Sequence, residues 1–497
     1  MNRPWDAERL LAPWLVDARL AALPVTGMTL DSREVQPGTV FLALAGSQHH
    51  GLDFLDQALA AGAAVVIWEP DGRQDAAAVA ARCAVAGAVD LPRAGLGGLV
   101  SGMAARFYGD PGRNLRLVAV TGTDGKTSVA HYIAQLLDAV EGDSSVMGTL
   151  GWGRPGQLQA TRHTTSDAVT IQARLATLRD AGVRSVAMEV SSHALVQHRV
   201  DAVAFDTAVL THVGRDHLDY HGSAASYRAA KRRLFAWQGL RRQVLNLDDA
   251  VGRDLAERPL SDAKVVSYAA MHPADLQVTR IEPRPEGLTL TIARQGRSHV
   301  LALPLFGAFN ALNALGALAA VVDDQSMAPA LEAVSRLRPV PGRMERFLAT
   351  GAPLAVVDYA HTAGALEAAL NALRPHVEGR LWCVFGCGGD RDAGKRPLMG
   401  EVAGRLADHV VLTSDNPRGE DPEAIIDAIR EGCPSGVDCR VVADRGEAIA
   451  MALREAAPED GVLVAGKGHE TEQVIGTTTH AFSDRDRVQA LLQGRAG

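Results

Sequence analysis

Apolar and polar positions predict strands and helices in succession along most of the chain. Leu115 to Val120 is an apolar run of strand length, and residues 122–128 form a polar loop that contains glycine. The apolar positions after this loop recur at helical spacing: Val129, Ile133, Leu136, Leu137 and Val140. The pattern therefore predicts a strand, a glycine loop and a helix, and the rest of the chain is organised around this stretch.

The N-terminal region has the pattern of a small α/β unit. Strands are predicted at 39–44 and 63–68, with a helix between them at 55–61. Polar loops at 30–33 and 46–51 lie next to these strands. The residues alone leave open whether these loops are plain turns or binding loops.

In the middle of the chain, buried strands are predicted at 185–190 and 207–210, and each is followed by polar residues. Glu189 lies near the C-terminal end of the first strand. Doubly wound P-loop enzymes place a Mg²⁺ ligand or a water-orienting group at such a position. The alternative is a glutamate that is exposed where the strand emerges.

The C-terminal region begins at a Pro- and Gly-rich linker, 338–343, and then alternates strands and helices. This alternation predicts a parallel sheet with helices on both faces. Polar residues lie just beyond the strand ends, which share the rim where open sheets bind ligands. These residues are Asp358, His361, Arg391, Asp415 to Arg418 and Lys467 to Glu470. The glycines at 386–389 lack the dinucleotide-binding spacing, so we do not expect a nicotinamide cofactor.

Composition narrows the class of protein. At 497 residues the chain is too long for one core, so two or three domains are expected. A net charge of −8 argues against broad binding to nucleic acid or to anionic membranes, so local basic groups must hold any anionic ligand. The N-terminus lacks the apolar segment of a signal peptide, and no apolar run is long enough to span a membrane. We expect a soluble cytoplasmic protein that does not insert into a membrane.

The five cysteines are scattered and odd in number, so they imply no disulfide framework. Cys383 and Cys387 lie in and just after an apolar run, and no second pair completes a zinc site. We interpret these two residues as buried thiols.

The glycine loop carries the first candidate chemistry, because a loop between a strand and a helix N-terminus can hold phosphates with its N–H groups. Lys126 would reach the outer phosphates of ATP, and the Thr127 hydroxyl would bind Mg²⁺. The general P-loop pattern has glycine where this chain has Val120. The alternative is an ordinary turn that contains Gly and Lys, but the setting favours an ATP loop.

Three further features of the sequence bear on the candidate site. His217 and His221 have the four-residue spacing of zinc ligands, but Mg²⁺ chemistry with His217 as an auxiliary ligand suits an ATP site better. Lys231 lies in a basic stretch that is typical of a solvated helix face. Asn310 begins an apolar helix that we expect to pack in the core while it presents an amide to the nucleotide.

Taken together, an ordered set of motifs resembles the Mur ligases, and within that family the ligases that add diaminopimelate during peptidoglycan synthesis. The motifs are LDSR at 30–33, GTDGKTS at 122–128, MEVSSHALVQHRV at 188–200, RDHLDYHG at 215–222, DYAHT at 358–362, FGCGGDRDAGKRP at 385–397, DNPR at 415–418 and GKGHE at 466–470. The resemblance implies an α/β protein of three domains, in which a doubly wound P-loop domain lies between a UDP-binding domain and a Rossmann-like domain. We place these domains at residues 1–92, 93–338 and 339–497, in a chain that acts as a monomer.

The resemblance also implies the site residues. The UDP-N-acetylmuramoyl dipeptide would be held by Leu30, Ser32, Ser47, Gln48, His49, His163, Thr164, Thr165, Ser191, Gln197 and Arg199. The second substrate, meso-diaminopimelate, would be held by Arg391, Asp415, Asn416, Pro417, Arg418, Gly466 and Glu470. ATP would contact Gly122, Thr123, Asp124, Gly125, Lys126, Thr127, Ser128, Asn310, Arg343 and Asp358.

The catalytic set that the resemblance implies comprises Lys126, Glu189, His217 and Lys231. Thr127, Glu189 and His217 would bind Mg²⁺, and CO₂ would convert Lys231 to N6-carboxylysine. The chain departs from the commonest pattern of the family at Asp124 and His212, where Asn is usual, at Ser128, where Thr is usual, and at Ser166, where Pro or Gly is usual. His163 also stands where Asn is common, and both side chains can donate a hydrogen bond.

The implied reaction is the ATP-dependent formation of an amide bond through an acyl phosphate. Two other activities of the family, addition of the terminal dipeptide and folylpolyglutamate synthesis, are disfavoured by the DNPR and HRV motifs. A catalytically silent relative that serves as a scaffold is disfavoured because Lys126, Thr127, Glu189, His217 and Lys231 are all present.

Overall fold

The computed structural model describes residues 4–46, 49–323 and 326–494, and its chain packs into two compact units. The first unit comprises Met1–Ser267 with Ala319–Val321, and the second comprises Tyr268–Leu318 with Val322–Gly497. The predicted division into domains at 92 and 338 stays a prediction.

The strands of the first unit are β1 (Trp5–Asp6), β2 (Pro24–Val25), β3 (Gly27–Thr29), β4 (Thr39–Ala43), β5 (Ala63–Trp68), β6 (Val89–Pro92), β7 (Arg116–Thr121), β8 (Ser144–Gly148), β9 (Gly151–Arg154), β10 (Gln157–Gln159), β11 (Ser185–Glu189), β12 (Thr207–Leu210) and β13 (Arg242–Asn246). Its helices are α1 (Ala7–Leu11), α2 (Leu55–Ala60), α3 (Ala76–Val85), α4 (Gly97–Phe107), α5 (Lys126–Glu141), α6 (Ala168–Asp180), α7 (Ser192–Val196), α8 (Leu218–His221), α9 (Ala224–Arg232) and α10 (Ala250–Glu257). The strands predicted at 39–44, 63–68, 115–120, 185–190 and 207–210 all overlap observed strands.

Two sheets organise the first unit. The N-terminal sheet has the parallel order β3-β4-β5-β6, and the larger sheet includes the order β10-β9-β8-β11-β7-β12-β13. In the larger sheet β8, β11, β7, β12 and β13 run parallel. The C-terminal ends of β11, β7 and β12 are therefore neighbours, so the loops that follow these strands meet at one edge of the sheet.

The second unit contains strands β14 (Lys264–Ala269, of which the last two residues belong to this unit), β15 (Leu276–Arg284), β16 (Gly287–Arg294), β17 (Arg297–Leu303), β18 (Glu345–Phe347), β19 (Leu354–Asp358), β20 (Leu381–Phe385), β21 (His409–Leu412), β22 (Asp438–Val441), β23 (Gly461–Ala465), β24 (Glu472–Ile475) and β25 (Thr478–Ala481). Its helices are α11 (Ala308–Val321, mostly in this unit), α12 (Met327–Val334), α13 (Ala363–Leu373), α14 (Lys395–Leu406), α15 (Pro422–Arg430), α16 (Arg445–Glu455) and α17 (Asp484–Gln493).

The main sheet of the second unit has the order β18-β19-β23-β20-β21-β22, in which all strands from β19 to β22 run parallel. Alternate residues of its strands face opposite sides. Cys383 and Phe385 pack with residues of α13, α14 and α15, whereas Trp382 and Val384 pack with residues of α16 and α17. The prediction of a parallel sheet with helices on both faces is confirmed.

Two simpler points concern the cysteines and the lengths of the apolar helices. Cys383 and Cys387 are buried free thiols, as predicted. Within the part of the chain that the structure describes, no helix is long and apolar enough to cross a membrane.

Candidate active site

The glycine loop joins β7 to α5, as the sequence pattern predicted. Gly125 has a φ of 82° immediately before the helix, a left-handed conformation that favours glycine. A side chain at Gly122 would collide with the Thr211 hydroxyl, so the loop can pass β12 only with glycine there. The loop therefore begins a long helix with its N–H groups at the C-terminal edge of a parallel sheet, which is an anion-binding geometry.

Lys126 folds back over this loop. Its Nζ donates hydrogen bonds to the carbonyl oxygens of Gly122 at 3.0 Å and of Thr123 at 2.8 Å. The ammonium group therefore lies above the loop, where it can neutralise phosphate oxygens.

Glu189, at the end of β11, is buried against the start of α5. The Thr127 hydroxyl donates to its Oε2 at 2.9 Å, and Thr149 donates to the same carboxylate through its N–H at 2.8 Å and its hydroxyl at 3.2 Å. With only 1% of its surface exposed, Glu189 is not the solvent-facing glutamate of the alternative interpretation. Thr149 was missed by the sequence analysis, because no local pattern marks its approach to Glu189.

This oxygen cluster fits Mg²⁺. The described residues contain no group of three or more His, Cys, Asp or Glu side chains that could hold a metal ion. Mg²⁺ in nucleotide sites usually takes only one or two protein oxygens and completes its shell with phosphates and water. A threonine hydroxyl and a buried carboxylate 2.9 Å apart match that requirement.

Lys231, on α9, lies beneath the same loop. It is only 1% exposed, its Nζ donates to Gly122 O at 2.6 Å, and it lies 4.6 Å from the centre of the Tyr227 ring. Burial lowers the pKa of Lys231 to about 6, and the positive charge of Lys126 adds to the effect. The interpretation as a solvated helix face is therefore wrong, because packing against Gly122 removes this lysine from water.

Neighbouring arginines do not cause this low pKa. Arg232 pairs with Asp254, and the Arg233 side chain is exposed. The nearby cation is Lys126, about a hundred residues earlier in the chain, and only the folded sheet brings the two lysines together.

The loop after β12 brings several aromatic rings together. His217 is half exposed with a φ of 50°, and its ring centre lies 4.8 Å from that of His193. His193, which follows β11, also contacts Tyr220 and His221. The sequence analysis named His217 but missed His193 as its neighbour, although both follow strands that flank β7.

The residues predicted to hold the sugar-peptide substrate converge in part. The Thr165 hydroxyl donates to Glu189 O at 2.9 Å and accepts from Ser191 N at 3.0 Å, and Arg199 donates to Thr165 O at 2.7 Å. The Gln197 side chain accepts from Arg199 at 2.9 Å. Thr165, Ser191, Gln197 and Arg199 thus form one connected group beside Glu189.

The remaining residues of that set are more dispersed. The Thr164 hydroxyl lies 3.0 Å from the Thr149 hydroxyl, which joins Thr164 to the Glu189 cluster. Ser32 is buried and donates to Gln57 at 2.8 Å, Leu30 is half-buried, and the side chains of His49 and His163 are exposed. The predicted contacts Ser47 and Gln48 lie outside the described residues.

In the second unit, the predicted amino-acid-binding residues collect at the C-terminal edge of the parallel sheet. The loops that carry Asp415 to Arg418 and Gly466 to Glu470 follow β21 and β23. Asn416 Nδ2 donates to Glu470 Oε2 at 2.9 Å, and the fully buried Lys467 donates to that oxygen at 3.0 Å and to Asn416 Oδ1 at 3.1 Å.

Arg418 and Arg391 flank this group. Arg418 has a φ of 52°, and its Nη1 donates to Gly389 O at 2.8 Å. Arg391 is exposed.

Three residues of the second unit were predicted to contact the nucleotide, and each interacts with neighbouring residues of its own unit. Asp358 ends β19, and burial raises the pKa of its carboxyl group while Met344 N donates to its Oδ2 at 2.7 Å. The Arg343 guanidinium lies 4.4 Å from the centre of the Tyr359 ring. Asn310 is buried, and its amide donates to Phe306 O at 2.9 Å.

The structure has the features of a nucleotide-dependent α/β enzyme. One parallel sheet carries a P-loop-like turn beside a buried carboxylate, and a second parallel sheet has polar residues along its C-terminal edge. Three family models match successive parts of the chain: the Mur ligase family catalytic domain at 24–102, the Mur ligase middle domain at 120–321 and the Mur ligase glutamate ligase domain at 342–468. The chain belongs to the Mur ligase family, so the resemblance inferred from the motifs and the predicted α/β class are confirmed.

Individual relatives agree with this assignment. The chain is 52% identical to the UDP-N-acetylmuramoyl-L-alanyl-D-glutamate–2,6-diaminopimelate ligase of Alkalilimnicola ehrlichii, over 98% of this chain and 99% of the relative. It is 45% identical to the protein of the same name in Pseudomonas aeruginosa, over 95% of each chain. A solved structure under that name is 34% identical with a TM-score of 0.72 over both full chains. The MurF ligase of Thermotoga maritima, solved with ADP, shares the fold at 19% identity, with a TM-score of 0.61 over 95% of this chain and 99% of that one.

Proposed function

We propose that this protein joins meso-diaminopimelate to UDP-N-acetylmuramoyl-L-alanyl-D-glutamate in an ATP-dependent reaction. The observation that carries the proposal is the 52% identity, over nearly the full length of both chains, to a relative of that name. The P-loop with Lys126, the buried Glu189 and the polar rim around Asn416 support the proposal.

The first step is phosphoryl transfer. A carboxylate of the UDP-linked dipeptide attacks the γ-phosphorus of ATP, the bond to ADP breaks, and an acyl phosphate forms. The loop N–H groups and Lys126 bind the phosphate oxygens, and Thr127 with Glu189 would hold Mg²⁺, which neutralises phosphate charge when bound. The group of Thr165, Ser191 and Arg199 would orient the dipeptide beside Glu189.

The second step forms the amide. The amine of diaminopimelate attacks the activated carbonyl carbon, the carbon–oxygen bond to phosphate breaks, and the proton that the amine loses leaves with the phosphate. Asp415, Asn416, Arg418 and Glu470 would hold the amino acid, with Arg391 and Gly466 at the edges of the site. Positioning and charge neutralisation account for catalysis in this scheme.

Lys231 is proposed to carry a carbamate. A neutral lysine amine adds to CO₂ with release of one proton, which gives a carboxylate on nitrogen. The low pKa of Lys231 supports the modification, because about 6 leaves the amine largely neutral at pH 7. The carbamate would replace a buried neutral amine by an anion near a second Mg²⁺, for which His217 is the proposed ligand.

The same proposal includes the remaining nucleotide contacts, the oligomeric state and the location of the protein. Arg343, Asp358 and Asn310 are proposed to contact ATP. The N-terminal residues that are proposed to contact the UDP group are Leu30, Ser32, Ser47, Gln48 and His49. We further propose a monomer in the cytoplasm, where the precursor pathway operates.

The deciding experiment measures phosphate release from ATP by the purified chain. The reaction contains the UDP-muramoyl dipeptide and one amino acid from a panel that includes meso-diaminopimelate, L-lysine and D-alanyl-D-alanine. Release that depends on both the dipeptide and diaminopimelate is expected, with the product confirmed by mass spectrometry. No amine-dependent release with any member of the panel would refute the proposal, and Lys126→Ala is the matched inactive control.

A further inference from the structure

Arg445 and Asp484 form a fully buried ion pair behind the amino-acid rim of the second unit. Both side chains are 0% exposed. Arg445 Nε donates to Asp484 Oδ1 and its Nη2 to Asp484 Oδ2, each at 2.7 Å. Arg445 is the first residue of α16, and Asp484 is the first residue of α17.

The same guanidinium also binds two strand ends that are not neighbours in the sheet. Its Nη2 donates to Ala465 O at 2.8 Å, and its Nη1 donates to Ser414 O at 3.3 Å. Ala465 ends β23, whereas Ser414 lies just beyond β21, and β20 separates the two strands. Arg445 therefore clamps the ends of two strands across the strand between them.

Each clamped carbonyl immediately precedes a proposed amino-acid contact. Ser414 precedes Asp415, and Ala465 precedes Gly466. The spacing there is tight: a Cβ at Gly466 would lie 2.7 Å from Asp415 Oδ2 and 3.8 Å from Arg445 Nη2. Displacement of either strand end would therefore change the distance between the two sides of the rim.

A simple stabilising role does not account for this pair. Burial of two charges carries a desolvation penalty that their attraction barely offsets, and well-packed apolar side chains of similar volume often stabilise a protein as much or more. The planar fork of arginine, in contrast, can hold a carboxylate bidentately and reach two carbonyl groups at once, which lysine cannot. The pair is therefore better explained by its positioning of the two strand ends than by a contribution to folding stability.

We infer that Arg445, oriented by Asp484, is a positioning residue for the amino-acid substrate, because it fixes the spacing between Asp415 and Gly466. The inference rests on the proposed function, and it predicts an effect on one of the three substrates only. Loss of the clamp should weaken use of the amino acid while use of ATP and the UDP-linked dipeptide stays the same.

The test compares steady-state constants of three variants. Arg445→Lys keeps the charge without the fork, Asp484→Asn removes the orienting carboxylate, and the double variant Arg445→Met with Asp484→Leu removes both charges while it retains packing. Arg374→Lys is the matched control, because Arg374 also pairs with an aspartate, Asp408, and donates to a backbone carbonyl, but at the opposite ends of β20 and β21.

The KM for diaminopimelate should rise about ten- to a hundredfold in the three variants, with the KM for ATP and for the dipeptide within about twofold of wild type. Arg374→Lys should leave all three KM values unchanged. Thermal unfolding, monitored by circular dichroism, establishes which variants are folded. If the double variant does not fold, the conservative Arg445→Lys variant still gives the KM comparison.

Two results would overturn the inference: a folded variant with the wild-type KM for diaminopimelate, or an equal rise in KM for all three substrates. Failure of the proposed function is distinguishable, because the wild type would then use no amino acid of the panel. A wild type that uses an amino acid, beside folded variants that use it equally well, contradicts the positioning role alone.

Discussion

Asp124 and His212 lie opposite each other in an isolated antiparallel bridge at the edge of the phosphate-type loop. In the motif resemblance described above, both positions are expected departures from the family pattern, in which asparagine is usual at each. His212 Nδ1 lies 3.1 Å from Asp249 Oδ2, and hydrogen bonding to Asp249 raises the pKa of His212, with a smaller contribution from the charge of Asp124. The negative charge that Asp124 adds near the phosphates is thus accompanied by a histidine that is biased toward its cationic form.

This pairing predicts a pH-dependent affinity for ATP. At low pH the positive charge of the His212 imidazolium compensates the negative charge of Asp124 near the phosphates. This compensation is lost as the pH rises through the raised pKa of His212. We expect the KM for ATP to rise over that range in wild type and to be flatter with pH in His212→Asn. The side chain of His212 is 59% exposed, so the effect should be about fivefold or less.

Stability should follow the same titration. A histidine with a folded-state pKa above its unfolded value contributes stability that is full below about pH 6.5 and is lost as the pH rises through the folded-state pKa. Urea unfolding of wild type and His212→Asn between pH 5 and 8 measures this contribution. His409→Asn, which alters a His–Asp pair in the other unit, is the control. A constant difference in unfolding free energy across this range would contradict the prediction.

Lys231→Ala should lose most activity, and a short-chain carboxylate such as acetate should partly restore it, because the added anion replaces the carbamate. Lys231→Arg should fail, since a guanidinium cannot carry the modification. ¹³C NMR after incubation with ¹³C-bicarbonate should show a carbamate resonance in wild type that is absent from both variants.

The exposed Lys264 gives the control, because Lys264→Arg should keep both activity and the resonance. Lys126→Met removes the cation that helps to lower the pKa of Lys231, so the resonance should then require a higher pH. A fully active Lys231→Arg variant would show that Lys231 is not carbamylated for catalysis and has a structural role.

The metal assignment predicts a specific change in Mg²⁺ dependence. Thr127→Ala and Glu189→Ala each remove one proposed oxygen ligand, so the Mg²⁺ concentration for half-maximal turnover should rise about tenfold or more. Thr177→Ala, which changes an exposed threonine of α6, is the control. Wild-type turnover by Glu189→Ala at low Mg²⁺ would show that Glu189 is not a ligand.

Local patterns predicted those parts of the site that depend on neighbours in sequence. The strand, glycine loop and helix around Lys126 follow from apolar spacing, and the position of Glu189 follows from the end of an apolar run. Parallel pairing of β11 with β7 then places both at one edge of the sheet.

Contacts between distant segments were not predictable in this way. Lys231 has the polar neighbours of a solvated helix, and only its packing against Gly122, 109 residues earlier, buries it. Asp249, which orients His212, and Asp484, which orients Arg445, lie 37 and 39 residues from their partners. No pattern of period two or 3.6 encodes such pairs, because tertiary packing alone brings them together.

The choice of amino acid gives the last prediction. Diaminopimelate differs from lysine by one distal carboxylate, and a planar guanidinium can hold that group bidentately. Within the described residues, the Arg418 guanidinium donates through Nη1, to Gly389 O and more weakly to Asn416 O, which leaves Nε and Nη2 for the substrate. The left-handed backbone at Arg418, with a φ of 52°, is a strained conformation for a non-glycine residue, and Pro417 before it stiffens the loop.

Lysine would leave this guanidinium without a carboxylate and place an ammonium group beside it. A charge-assisted hydrogen bond contributes about 1.5–3 kcal/mol, and a site built for a polar group can reject an analogue that lacks it by roughly 10⁴-fold. We expect wild type to prefer meso-diaminopimelate over L-lysine by that order in kcat/KM, and Arg418→Ala to lose most of the preference by losing activity toward diaminopimelate. Arg405→Ala, at a surface ion pair with Glu367, should leave the ratio unchanged. Comparable use of lysine by wild type, or unchanged use of diaminopimelate by Arg418→Ala, would exclude Arg418 as the residue that selects the substrate.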